Sequence, residues 1–296
     1  MNKKIFTIII SIIIISIVVT SIIYFVNASK NDLDINEKAE EELKYIGSEI
    51  ISIMNKIDNI SFSNFVLQKK TKNSSDSKDS KKSNEQSQTS NEENSQSSSN
   101  KESTNTQINI KYSTNENAIL NSNNISIDWE DIKNNSEGLY SIWTTTIIDL
   151  HSLNINNEDI LNFSRMLDRV NISIKSENKI DALNDLANLY SFIPNYLKNI
   201  SNNKKKINIE NTKLGLLNSL ALVEQDNWQE AKNQIQNSIN SYTEIINSAE
   251  GNEEYSKSKI TKIYVLLNEL NNTFVQKDKQ IYYIKYRNAM EELVNL

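Results

Sequence analysis

One proline (Pro194) and four glycines in 296 residues leave this chain few places to turn sharply. Sheet proteins draw on both residues in their turns, because proline fixes φ and glycine reaches positive φ. A chain this poor in both is expected to run in long helices joined by polar loops. The expected fold class is therefore all-α, an antiparallel helical bundle or short α-solenoid of about six to eight helices. The chain has no cysteine, which removes disulfides, thiolate metal sites, iron–sulfur clusters and cysteine nucleophiles. Its single histidine, His151, cannot build a multi-histidine zinc site.

Residues Ile5 to Val26 carry no charge, and sixteen of these twenty-two are Ile, Val or Phe. As a helix they would span about 33 Å, enough for a hydrocarbon core of about 30 Å. Lys3 and Lys4 precede the run, and positive charge there favours an N-terminus kept in the cytoplasm. The expectation is a single-pass anchor at 5–26 behind a short cytoplasmic stretch, 1–4, with the rest of the chain outside the cell membrane. A cleaved signal peptide ending at Val26-Asn27-Ala28 is the rival, but the apolar run exceeds the usual h-region of about 7–15 residues. Thr7/Ser11 and Ser16/Thr20 are small residues four apart that could pack two such helices into a homodimer. Ordinary tolerated hydroxyls explain them as well.

Residues 31–67 divide into an amphipathic helix and a short extended stretch. Ile35, Ala39, Leu43, Ile46, Ile50, Met54 and Ile57 recur at steps of three or four. Such a helix could be a stalk leaving the membrane or the first helix of the folded domain. From Gln68 to Gln107 forty residues contain no apolar side chain, so nothing there can offset the entropy of ordering. The reading for 68–107 is a disordered linker or loop. Ile60, Phe62 and Val66 before it, and Ile108, Ile110 and Tyr112 after it, alternate with polar residues as paired strands would.

The remainder, 108–296, is read as the helical domain. Helices are expected from Asp128, from Asn156 as N-cap, after Asn178 with a kink at Pro194, and over about 209–224, where leucines surround the whole circumference. Three more are expected from Asp226 with Gln229 as a capping box, over about 253–275 and over about 279–295. Gly251 suits the C-terminal cap of the first of these. The β-branched run Thr144–Ile148 tempers the first assignment. A shift of 49 residues sets Ala182 on Ala231, Leu186 on Ile235, Ile193 on Tyr242 and Tyr196 on Ile245, as two stacked helical hairpins would.

Sites are sparse. Asp149 with His151 could be a base or a metal fragment, but a helix-end histidine explains it. Glu130-Asp131 and Glu158-Asp159 suit helix starts, and Lys204-Lys205-Lys206 suits a solvated loop. The tract Tyr282 to Arg287 is the most binding-like, because Tyr and Arg are typical interface anchors. Tyr282, Tyr286 and Arg287 are the candidate partner contacts, although the two tyrosines share a helical face that could form the edge of the core. No phosphate loop or nucleophile elbow is present, so neither a catalytic constellation nor a cofactor is expected.

The apolar run and the bias toward Asn, Ile, Lys and Ser resemble those of uncharacterised, N-terminally membrane-anchored helical proteins of low-GC Gram-positive bacteria. The resemblance covers the layout alone and implies an envelope setting without an activity. The expected function is a non-catalytic interaction or structural protein of the cell envelope, with a protein or envelope polymer as partner. The other reading is a small-molecule-binding or sensory helical module, for which Trp129, Trp143 or Trp228 would line a pocket. Without Lys3 and Lys4 there are 30 basic residues against 38 acidic, a net charge of −8 that disfavours nucleic acid and anionic lipid.

Overall fold

Asparagine and aspartate set the starts of the helices. In the computed structural model, which describes residues 35–60, 126–248 and 257–296, Asp128 accepts a hydrogen bond from the Asp131 amide and opens α2 (Trp129–Ser152). Asn156 opens α3 (Asn157–Lys175), and Asn178 opens α4 (Lys179–Tyr190). Asn203 caps α6 (Lys204–Glu224), and Asp278 caps α9 (Lys279–Val294). Each side-chain oxygen satisfies an amide that the first helical turn leaves without a partner. The remaining helices are α1 (35–57), α5 (Phe192–Ile200), α7 (Trp228–Ser248) and α8 (Lys257–Asn272), which ends in a 3-10 turn, Thr273–Val275. The described residues contain no strand, and all belong to one compact unit of the chain.

Three details differ from expectation. The helix carrying Pro194 breaks at Ser191, three residues before the proline. Proline has no amide to give the Tyr190 carbonyl, and its ring crowds that same group, so the ladder fails one turn upstream. Asp226 is not a cap. It takes a positive φ of 57° and ends α6, while the Asn227 amide reaches back to the Leu222 carbonyl. The capping role falls to Asn227, whose side chain accepts from the Glu230 amide. Lys204–Lys206 is not a loop but the first turn of α6, with Lys205 buried.

The β-branched run in α2 stays helical. Thr144 and Thr146 donate their hydroxyls to the carbonyls of Tyr140 and Ile142 one turn back, and Thr146 is fully buried. The expected anchor at 5–26, the paired strands around residues 60–66 and 108–112, the polar segment 68–107 and the Gly251 cap lie outside the described residues, apart from the buried Ile60. Among the described residues no helix is long and apolar enough to cross a membrane.

The 49-residue register is visible in the fold. Glu177 and Asp226, 49 apart, both have positive φ (55° and 57°), and each precedes the asparagine that caps the next helix. The hairpin α3–α4 is thereby repeated by α6–α7. All eight residues paired by the shift are buried. A third copy follows at 51 residues: Lys277 has φ 54°, Asp278 caps α9, and Tyr282 and Tyr286 stand where Ala231 and Ile235 stood. Within each hairpin the two helices pack together, and α4 also packs on α6, and α7 on α8.

Helix α1 is a core helix of this array and not a stalk. Ala39, Leu43, Ile46, Ile50, Ile51, Ile53, Met54 and Ile57 are each no more than 1% exposed. Seven of them are large, so at roughly 1.5–3 kcal/mol per side chain their burial contributes on the order of 10 kcal/mol or more. At Gly47 the helix comes so near α4 that an added methyl would lie 3.2 Å from the Tyr190 ring.

Candidate functional site

Both ends of α1 carry ion pairs to other helices. Near its start Lys38 reaches Asp149 of α2 at 2.7 Å, with Glu42 3.7 Å away on α1 itself. Two residues along the same end, Glu40 pairs with Lys206 of α6. Near its finish Lys56 meets Asp131 of α2 at 2.6 Å. These pairings run α1 antiparallel to α2 and fix its register.

A more deeply buried group lies beyond Lys56. Asp58, whose side chain has no exposed surface, lies 2.7 Å from the Lys179 ammonium at the start of α4. The same ammonium lies 2.7 Å from Glu224 at the end of α6. Lys279 of α9 stands beside them, donating to the Glu224 backbone carbonyl and pairing with Asp226 at 3.1 Å. Burial, then the neighbouring Glu224 carboxylate, push Asp58 up to about 7 against the pull of Lys179. Burial lowers Lys179, but Asp58 and Glu224 hold it above its ordinary value.

A second buried polar chain runs between α4 and α6. Tyr190 donates to Glu210, which also takes a hydrogen bond of 2.8 Å from Lys213. Burial and then the Glu210 charge hold the Tyr190 hydroxyl well above the usual phenol range. Lys213 and Glu210 open on a cavity of about 240 Å³ bounded by Lys44, Lys206, Leu197 and Leu293. Burial, then Lys213, lowers the Lys44 ammonium.

The candidate contacts fall elsewhere. Tyr282 and Tyr286 are fully buried, so they cannot be surface anchors in this fold. Tyr282 donates to Ser219 at 2.8 Å and packs edge-on against Trp228, and Tyr286 donates to Asn55 of α1. They take the place that Ala231 and Ile235 hold in the preceding hairpin, and that place faces inward. Arg287 is half-buried, with its Nη1 enclosed and without a hydrogen-bond partner among the described residues.

The other sequence candidates do not converge. His151 is exposed, whereas Asp149 points to Lys38. Asp131 is taken by Lys56 and Glu158 by Arg165. No group of three or more metal-ligating side chains occurs among the described residues. Trp143 stacks on Phe163 with ring centroids 3.8 Å apart and donates to Ser164, while Trp228 packs against Phe274 and Tyr282. Both tryptophans are packed against neighbouring aromatic rings.

The residues missed by sequence reading are Asp58, Lys179 and Glu224. A signal for the first was present. Asp58 stands four residues after Met54 and eight after Ile50, on the apolar stripe of α1, where a carboxylate needs a partner. Compared with known proteins, the chain matches no family model, no curated protein and no solved structure.

Proposed function

We propose that the chain is a membrane-anchored interaction protein of the bacterial cell envelope and not an enzyme. Residues 5–26 hold it in the cell membrane with the N-terminus in the cytoplasm, and the helical domain outside engages a protein or an envelope polymer. The observation that carries the reading is α1. Only eight residues, 27–34, separate the apolar run from it, and at full extension they span at most about 28 Å. Because α1 is core, force or position imposed on the anchor passes directly into the hairpin array. An array of stacked hairpins offers broad helical surfaces of the kind used for protein contacts.

The filled aromatic clusters around Trp143 and Trp228 favour this reading over a ligand pocket. The cavity beside Lys213 and Glu210 favours the small-molecule reading, but at about 240 Å³ it is below the roughly 300–1,000 Å³ usual for ligand sites. Leu161 and Ile172 lie three turns apart on one exposed face of α3 and are the better places to look for a partner.

A photo-crosslinking residue at Ile172 in the native membrane should capture a defined neighbour, whereas one at the buried Tyr282 should not. Protease added to intact cells should remove the helical domain and leave the anchor. Recovery of the intact chain, apolar start included, from the soluble cytosol would sink the proposal.

A further inference from the structure

Asp58, Glu224 and Lys179 occur where three helices meet, and their charges do not balance. The buried carboxylates Asp58 and Glu224 share one ammonium, Lys179, while Lys279 pairs with Asp226, whose side chain is 73% exposed. The nearby hydroxyls are those of Tyr282 and Tyr286 on α9. Both are held above their ordinary range by burial and, further down the order of causes, by Asp58, so neither carries charge. With every carboxylate ionised the cluster holds one negative charge too many. Asp58 Oδ2 and Glu224 Oε1 are buried and have no hydrogen-bond partner among the described residues. An isolated buried charge is expensive, and one proton on either carboxylate brings the cluster to neutrality.

We propose that the turn following α1 is a proton-controlled clasp: a proton taken from solvent onto the Asp58–Glu224 pair closes residues 58–60 onto α4 and α6, and its loss loosens them. The groups are placed to act on this turn alone. The Asp58, Asn59 and Ile60 amides reach back to the carbonyls of Met54, Lys56 and Asn55, and Ile60 is buried beneath them. The body of α1 does not open, because the apolar burial that holds it is far larger than any one carboxylate can offset. The clasp depends on the fold alone and not on where the protein resides.

The sign follows from linkage. Asp58 is raised in the folded state from its ordinary 3.8 to about 7. Its contribution to closure is therefore complete below the unfolded value and is lost as pH rises through about 7. The closing equilibrium should weaken roughly tenfold between pH 6 and pH 8.

The test is amide hydrogen exchange on the full chain in detergent micelles, corrected for the intrinsic pH dependence of exchange. Protection of residues 58–60 should fall about tenfold over that range relative to residues 43–54. In Asp58→Asn it should be flat. In Glu224→Gln the repulsion is gone while Lys179 keeps its partner, so the step should move to lower pH. A flat profile in the unmutated protein, or the same slope in Asp58→Asn, overturns the clasp. If Asp58→Asn does not fold, an unmoved step in Glu224→Gln overturns it equally.

Discussion

The two ends of α1 are built from the same parts and behave differently. Each has two carboxylates around one lysine: Glu42 and Asp149 around Lys38 at the start, Asp58 and Glu224 around Lys179 at the finish. At the start the lysine side chain is 56% exposed and water screens its charge, although the Glu42 and Asp149 side chains are only 17% and 12% exposed. At the finish the Asp58 side chain has no exposed surface and the lysine is 33% exposed. Coulomb attraction alone would separate the two ends only through the longer Lys38–Glu42 distance, 3.7 Å against 2.7 Å for Lys179–Glu224. Desolvation separates them, so the buried end gains more from its lysine and loses more without it.

Replacing Lys179 by methionine should expose that difference most strongly. It leaves two buried carboxylates without their cation, a loss of about 3 kcal/mol for a partner of this partial exposure. Urea unfolding at pH 8 should register the loss as a lower midpoint with an unchanged slope. The deficit should shrink as pH falls and Asp58 takes a proton. A loss independent of pH would show that Lys179 acts by packing its stem and not by its charge.

The sequence made α1 legible as a helix but not as a core helix. Its apolar spacing reads the same for a stalk and for a buried element, since periodicity records a face and not what covers it. The decision lay in partners far along the chain, such as Lys206 for Glu40 and Tyr286 for Asn55. Local capping, by contrast, was readable, and Asn156 and Asn178 cap where expected because that bond is made within a single turn. The third hairpin escaped notice because its spacing is 51 and not 49, and because tyrosines replace Ala231 and Ile235. That substitution also left two readings of Tyr282 and Tyr286 open, a partner contact and the edge of the core. A tyrosine pair resembles an interface anchor until its repeat position shows that it points inward.

The middle of α1 tests whether the ends matter beside the packing between them. Gly47→Ala gains about 1 kcal/mol of helix propensity. Against this, the new methyl would meet the Tyr190 ring at 3.2 Å, and that ring is held by its hydroxyl bond to Glu210. Overpacking of this kind costs about 1–3 kcal/mol, so a net loss of roughly 1 kcal/mol is expected in thermal unfolding. With Glu210→Gln in the same chain the ring should yield more easily and part of the loss should return. Equal losses in both backgrounds would mean that the ring was never fixed.

The exposed end supplies the smaller pH effect. Burial and then the Asp149 charge raise Glu42, so its contribution too is present at low pH and lost as pH rises. Glu42→Gln should flatten the stability profile in the same direction as Asp58→Asn, but by less. Melting temperatures of both variants across pH 5–8 decide the order, and a larger effect at Glu42 would reverse the ranking of the two ends.

Lys38→Met should change least. The hydrogen bond that Lys38 donates to Asp149 raises its ammonium above the ordinary value, yet its side chain is mostly in water. A pair whose cation is this exposed is worth about 1 kcal/mol or less once side-chain entropy and salt are counted. The variant should unfold within that margin of the parent in 0.15 M salt and separate from it only slightly at low ionic strength. A loss as large as that of Lys179→Met would mean that Asp149 and Glu42 are as poorly hydrated as Asp58. The contrast between the two ends would then rest on geometry and not on water.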